Sequence, residues 1–239
     1  MLDDHDVHRV LVVTAHPDDV DFGAAGSVAR WTSEGVSVSY CVVTDGDAGG
    51  FDEAIPRSDI PALRRAEQVA AAAVVGVSDV AFLGYPDGRL SVSIELRRDI
   101  ARQIRRVQPQ RVLCPSSQRM WDRIFASHPD HLAAGEAALC AVYPDARNPF
   151  AHPELLAEGF EPWTVDHVWL MAHETVNRWV DITETIDRKV AALLSHASQI
   201  PDPGALEARL RGWTAATAAS GGLGAGVLAE AFYAVDTAG

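Results

Sequence analysis

Two short stretches carry residue types that could do chemistry: His16-Pro17-Asp18-Asp19 and His128-Pro129-Asp130-His131. Each sets two metal-binding side chains three residues apart around a Pro-Asp pair. One turn can aim such a pair at a single point, and proline fixes a backbone angle within it. Taken singly, each stretch also reads as a helix start, because Asp is a favoured N-cap residue. Together they read as the two halves of a divided metal site. The candidate ligands are His16, Asp19, His128 and His131. A structural zinc site is closed and often uses thiolates, whereas a catalytic one has three protein ligands and an open position. Cys41, Cys114 and Cys140 are far apart and form no CxxC pair, so the catalytic pattern fits better. One of the four candidates is then free for another task, and spacing does not say which. Asp18 and Asp130 remain for base work or for orienting a histidine.

Strands followed by polar turns must bring these stretches together. Val10 to Thr14 is a short Val-rich apolar run, which reads as a buried strand leading into the first motif. A helix follows from Val20 to Trp31, with Gly23 and Gly26 allowing close packing. Val36–Thr44, Val80–Leu83 and Arg111–Cys114 read as the next strands. Pro61 opens a helix to about Val75, and Ser91 or Ser93 caps another that presents Leu96, Ile100, Ile104 and Val107 on one face. The arginines of that helix read as a solvated face. Residues 132–142 are helical, and residues 144–164, with four prolines, read as a long surface excursion. Val165–Met171 and Trp179–Ile182 are further strands. Helices are expected from Thr183 or Thr185 to Ala197 and from Pro203 to Ala218, with a helix or strand at 229–235. The glycine-rich turn at 221–226 follows no strand and is not a nucleotide loop. Alternation of strand and helix predicts an α/β fold, a Rossmann-like mainly parallel sheet with helices on both faces, in a single domain over 1–239. The polar loops at 16–19, 45–50, 84–88 and 115–131 then share the carboxyl edge of the sheet, where such folds bind ligands.

The 239-residue chain is 48% hydrophobic, enough for a substantial core. Its net charge of −13 argues against nucleic acid or an anionic membrane as partner. No apolar run is long enough to span a bilayer. The acidic start, Met1-Leu-Asp-Asp-His5-Asp6, has no signal-peptide pattern. The cysteines read as thiols in a reducing compartment, so the expected location is the cytoplasm. Association into a homo-oligomer remains open.

Ala15-His-Pro-Asp-Asp19 together with His128-Pro-Asp-His131 resembles the LmbE-like, or PIG-L, family of zinc-dependent N-acetylglucosaminyl deacetylases. The likeness continues through Asp45-Gly-Asp47, Arg64 with Glu67, Leu83-Gly-Tyr-Pro-Asp-Gly88, Trp179-Val-Asp-Ile182, Lys189 and His196-Ala-Ser-Gln199. The resemblance implies Zn2+ on His16, Asp19 and His131, with Asp18 as general base. It also implies His128 as the second catalytic group, oriented by Asp130, and sugar contacts from Arg64 and Asp87. The implied reaction removes an N-acetyl or related N-acyl group from a small amino sugar or glycoconjugate by attack of activated water. His128 or Asp18 protonates the leaving amine. The sequence departs from the family pattern in Asp21-Phe-Gly after the first motif. Gly23 stands where one amidase branch has lysine, and Ala126 where some members have tyrosine.

Three other readings compete. An Fe(II) oxygenase could use His16-x-Asp18 with a distant His, but that chemistry usually rides on an all-β jelly roll. A non-catalytic metal- or sugar-binding module would have no use for Asp18 beside the ligands. An amidase or deacylase acting on a thiol conjugate or a natural product would share the whole site. The other histidines (His5, His8, His152, His167 and His196) read as structural or terminal. His173 is a lesser candidate for lining the site. Trp121 and Trp163 are candidates for walling a sugar pocket.

Overall fold

The apolar runs form the strands that their composition demands. In the computed structural model, which describes residues 6–238, β1 is Arg9–Thr14, β2 Ser37–Thr44, β3 Asp79–Tyr85 and β4 Arg111–Pro115. His5 and the acidic start before Asp6 lie outside the described residues. The later strands are β5 (His167–Met171), β6 (Arg178–Asp181) and β7 (Ala229–Asp236). They make one sheet of order β3-β2-β1-β4-β5-β7-β6. The first five in that order run parallel, and β7 is antiparallel to both β5 and β6. The Rossmann-like, mainly parallel α/β fold is therefore present.

Both faces of the sheet are covered, so its central strands read as unbroken apolar runs. Val10 and Val12 of β1 pack on one side with α1 (Asp19–Ser33), α2 (Ile60–Val74) and α6 (Ile186–Leu194). Leu11 and Val13, pointing the other way by the period of a strand, pack with α3 (Ile94–Val107) and α4 (Pro129–Cys140). The glycines of α1 permit close approach: a Cβ at Gly23 would stand 2.6 Å from Met171 Sδ, and one at Gly26 2.7 Å from Ile182 Cδ1. A short helix α5 spans Pro153–Ala157 and a long one, α7, Pro203–Ser220. Among the described residues no helix is long and apolar enough to cross a membrane.

Two expectations change. Arg105 of α3 is 2% exposed, not part of a solvated face. Its guanidinium donates to the carbonyls of Asp145, Ala146, Asn148 and Ala151. Backbone acceptors turned inward by the next segment solvate the charge in place of water. For the same reason residues 144–164 are not simply a surface excursion: Ala146 and Leu155 are buried, and Arg105 holds the segment against the fold. The other arginines of this face do form surface ion pairs, such as Arg102 with Glu158 and Arg106 with Asp79.

Candidate metal centre

Between β1 and α1 the chain turns through His16, Pro17 and Asp18. Asp18 is the N-cap of α1, yet its carboxylate makes no capping hydrogen bond. Instead its carbonyl accepts from Asp21 N (2.9 Å) and Phe22 N (3.0 Å). Its backbone is left-handed, φ 89° and ψ −25°, a conformation uncommon for a residue with a side chain. The cap reading of this Asp is thus set aside, and its carboxylate is available for other work. Asp19 folds back so that Oδ2 accepts from His16 N at 2.8 Å.

The second motif follows β4 after a 3-10 segment, Trp121–Ser127. Because β4 lies beside β1 and parallel to it, its loop ends at the same edge. This is the point where strand order reverses, the ligand crevice of open α/β sheets. Pro129 starts α4, suited to a first turn that needs no N–H. His131 Nε2 lies 3.0 Å from Asp19 Oδ1 and 3.3 Å from His16 Nδ1, and His16 Nδ1 is 3.6 Å from Asp19 Oδ2. Tetrahedral zinc with bonds of about 2.0–2.2 Å sets its ligands about 3.3–3.6 Å apart. The separations of 3.3 and 3.6 Å match this spacing and that of 3.0 Å is slightly shorter, so His16, Asp19 and His131 suit one ion in donor chemistry and come close to it in spacing. Outside this triangle, His131 Nδ1 faces Ala126 O at 3.4 Å. A proton shared there leaves Nε2 as the lone-pair nitrogen.

Carboxylates crowd the far side of His16. Its Nε2 is 2.9 Å from Asp87 Oδ1 and 3.4 Å from Asp130 Oδ2, though neither lies in line with the ring N–H. Burial opposes a charge on His16, but Asp130, Asp19 and Asp87 outweigh it and raise its pKa to about 12. Burial likewise opposes ionisation of Asp19, and His131 and His16 hold it well below the usual carboxylate range. Asp18 goes the other way, pushed up to about 7 by burial and by the neighbouring charge of Asp19, against Arg64, His196 and His16. So much negative charge around buried imidazoles suits a divalent cation.

The expected pairing of Asp130 with His128 is not made. The Asp130 carboxylate accepts from Gly88 N (2.7 Å) and Leu90 N (3.2 Å), and its remaining reach is toward His16. His128 Nδ1 instead accepts from the backbone N–H of Asp130 at 3.2 Å. Its pKa is accordingly lowered, not raised, by burial and by the charges of His16 and His131. His128 still shares the cavity, with its ring centroid 5.0 Å from that of His16. It forms a second metal-compatible group with His16 and Asp130.

Arg64 and Asp87, matched to sugar contacts by resemblance, are both buried and engaged with the turn. Arg64 is 4% exposed. It donates to Pro17 O (2.6 Å), Gly46 O (3.1 Å) and Asp18 Oδ2 (3.1 Å). Asp87 accepts from Ala48 N (3.2 Å), and its own N–H goes to Asp47 Oδ1 (2.9 Å). The geometry supports a positioning task for each. Asp47 entered the sequence reading only as part of the Asp45-Gly-Asp47 resemblance, with no role assigned; the buried Gln68 was missed, its one signal being its place four residues after Arg64. His196 is structural as expected, fully buried with Nε2 2.8 Å from Asp21 Oδ2. His173 stacks on Tyr233. Trp163 donates to Pro109 O, a packing role, whereas Trp121 is exposed.

The chain and its fold have similar proteins among those already characterised. The family model described as GlcNAc-PI de-N-acetylase, PIG-L, matches residues 11–142. Diacetylchitobiose deacetylase of Thermococcus kodakarensis is 30% identical over 83% of this chain and 72% of its own length. A probable N-acetyl-alpha-D-glucosaminyl L-malate deacetylase 2 of Bacillus cereus is 32% identical over 80% of this chain and 83% of its own. The solved structure of N,N'-diacetylchitobiose deacetylase from Pyrococcus horikoshii, complexed with an inhibitor, superposes with a TM-score of 0.88 at 30% identity. It covers 98% of this chain and 85% of that one. With the family model spanning both His-Pro-Asp motifs, the chain belongs to the PIG-L family.

Proposed function

We propose that this protein is a zinc-dependent hydrolase that removes an N-acetyl group from an amino sugar or glycoconjugate. The observation that carries the reading is the convergence of His16, Asp19 and His131 near ligand spacing, with a further carboxylate, Asp18, close enough to feel the charges of Asp19 and His16 and held by Arg64 at 3.1 Å. The names of the similar deacetylases support the substrate class. Zn2+ held by the three ligands supplies Lewis acidity, activating water and polarising the amide carbonyl. Asp18, with a pKa pushed up to about 7, is matched to taking a proton from the attacking water near neutral pH. His128, in the same cavity, donates a hydrogen bond to the carbonyl oxygen as it gains negative charge, a contribution of about 2.7–4 kcal/mol where measured elsewhere. The leaving amine takes its proton from Asp18 or His128. Asp87 and Asp130 flank His16 Nε2 with negative charge. The reading includes one catalytic domain in a reducing cytoplasm, in keeping with free, buried Cys41 and Cys114.

The test is release of free amine from a panel of N-acetylated sugars and glycoconjugates by the zinc-loaded protein. Turnover of at least one N-acetylglucosaminyl compound is expected. Hydrolysis confined to thiol conjugates or acylated natural products would replace the sugar assignment with the amidase reading.

Zinc binding should depend on pH in a defined direction. His16 holds its proton up to about 12, and a metal must displace it. Affinity should therefore rise as pH rises, and uptake should release protons. Calorimetry in two buffers of different ionisation enthalpy reads the proton release. Identical heats in both buffers would show that no proton leaves.

A further inference from the structure

Arg64 and Gln68 stand four residues apart on α2 and so share one helix face. Both are buried, Gln68 completely. Arg64 Nη2 donates to Pro17 O at 2.6 Å. Gln68 Oε1 accepts from Asp18 N at 2.8 Å. These two backbone atoms belong to one peptide unit, Pro17–Asp18. The helix face therefore grips that peptide plane at both its carbonyl and its N–H. This plane precedes the residue with φ 89°, so fixing it fixes the direction in which the Asp18 side chain leaves the turn.

The Gln68 amide is itself oriented. Its Nε2 donates to Asp21 Oδ2 at 2.9 Å, and that oxygen also lies 2.8 Å from His196 Nε2. A carboxylate can only accept and a backbone N–H can only donate. The amide oxygen of Gln68 must then face Asp18 and its NH2 must face Asp21. The far end of this chain, His196, is fully buried.

We propose that Gln68 is a positioning residue for Asp18: with Arg64 it clamps the Pro17–Asp18 peptide and so holds the carboxylate over the metal centre. The inference rests on the reading of Asp18 as general base, and its test has one arm independent of turnover. In the zinc-loaded full-length protein, Gln68→Met keeps the length of the side chain and removes the acceptor. It should lower kcat about 10–100-fold, the usual loss for an outer partner of a metal site. KM should stay within about twofold and zinc at full occupancy, since no ligand is touched. In an Asp18→Asn background the same change should lower kcat by less than about threefold, because no base remains to be placed. Hydrogen exchange at the Asp18 amide should quicken in Gln68→Met, which leaves that N–H without its acceptor. Equal kcat losses in both backgrounds would mark Gln68 as a general structural residue and overturn the proposal, as would unchanged exchange at Asp18 in Gln68→Met. Should the wild type release no amine from any N-acetylated substrate, the proposed function fails, and the exchange arm still decides the clamp.

Discussion

Replacing Asp18 by Asn should leave zinc at full stoichiometry and lower turnover by about 10²–10⁴-fold, the range for loss of a general acid-base group. Asp18 lies outside the proposed ligand set of His16, Asp19 and His131, so the metal should stay. Its carboxylate caps no helix N–H, so α1 loses no capping hydrogen bond when it is neutralised. Asn is the informative variant because it tolerates the left-handed backbone at φ 89°. Alanine there adds backbone strain to the chemical loss. Neutralisation also removes the negative charge 3.1 Å from Arg64, but the Asn amide oxygen can still accept, and Pro17 O and Gly46 O still hold the guanidinium. Steady-state kinetics beside metal analysis reads both quantities. Turnover near that of the wild type would remove Asp18 from the mechanism.

His131→Ala should lose zinc and activity together. His131 Nε2 closes the triangle, 3.0 Å from Asp19 Oδ1 and 3.3 Å from His16 Nδ1. Two remaining ligands leave zinc below the three that catalytic sites use. His128→Ala should behave differently, keeping zinc and lowering kcat more than KM. The contrast matters because His128 also lies in a metal-compatible group with His16 and Asp130. Metal content after dialysis against a weak chelator separates the two variants. Equal zinc loss in both would show that His128 is a ligand and that the three-ligand site is wrong.

Much of this was legible in the chain itself. Short Val-rich runs ending in His-Pro-Asp or in Gly-Asp turns identify buried parallel strands, because a strand covered on both faces has no polar alternation to show. From that alternation the common edge follows, and with it the meeting of His16 and His131 across more than a hundred residues. Their spacing within each motif carries the same information, since a turn brings residues three apart to one point.

Partner choice was not legible. Asp19, Asp87 and Asp130 all come within reach of the His16 ring, whereas the family resemblance implied Asp130 as the partner of His128. The N–H groups of Gly88 and Leu90, from a loop forty residues away, claim the Asp130 carboxylate and leave His128 a backbone partner. Arg105 and Gln68 were hidden likewise: Arg105 donates to backbone carbonyls and Gln68 accepts from the backbone N–H of Asp18, groups that every such position carries. The sequence by itself determined the elements and the two halves of the metal centre, because periodicity and motif spacing are local properties of the chain. Only the tertiary structure decided which carboxylate serves which histidine and what holds Asp18, because a hydrogen bond goes to whichever group packing brings within about 3 Å.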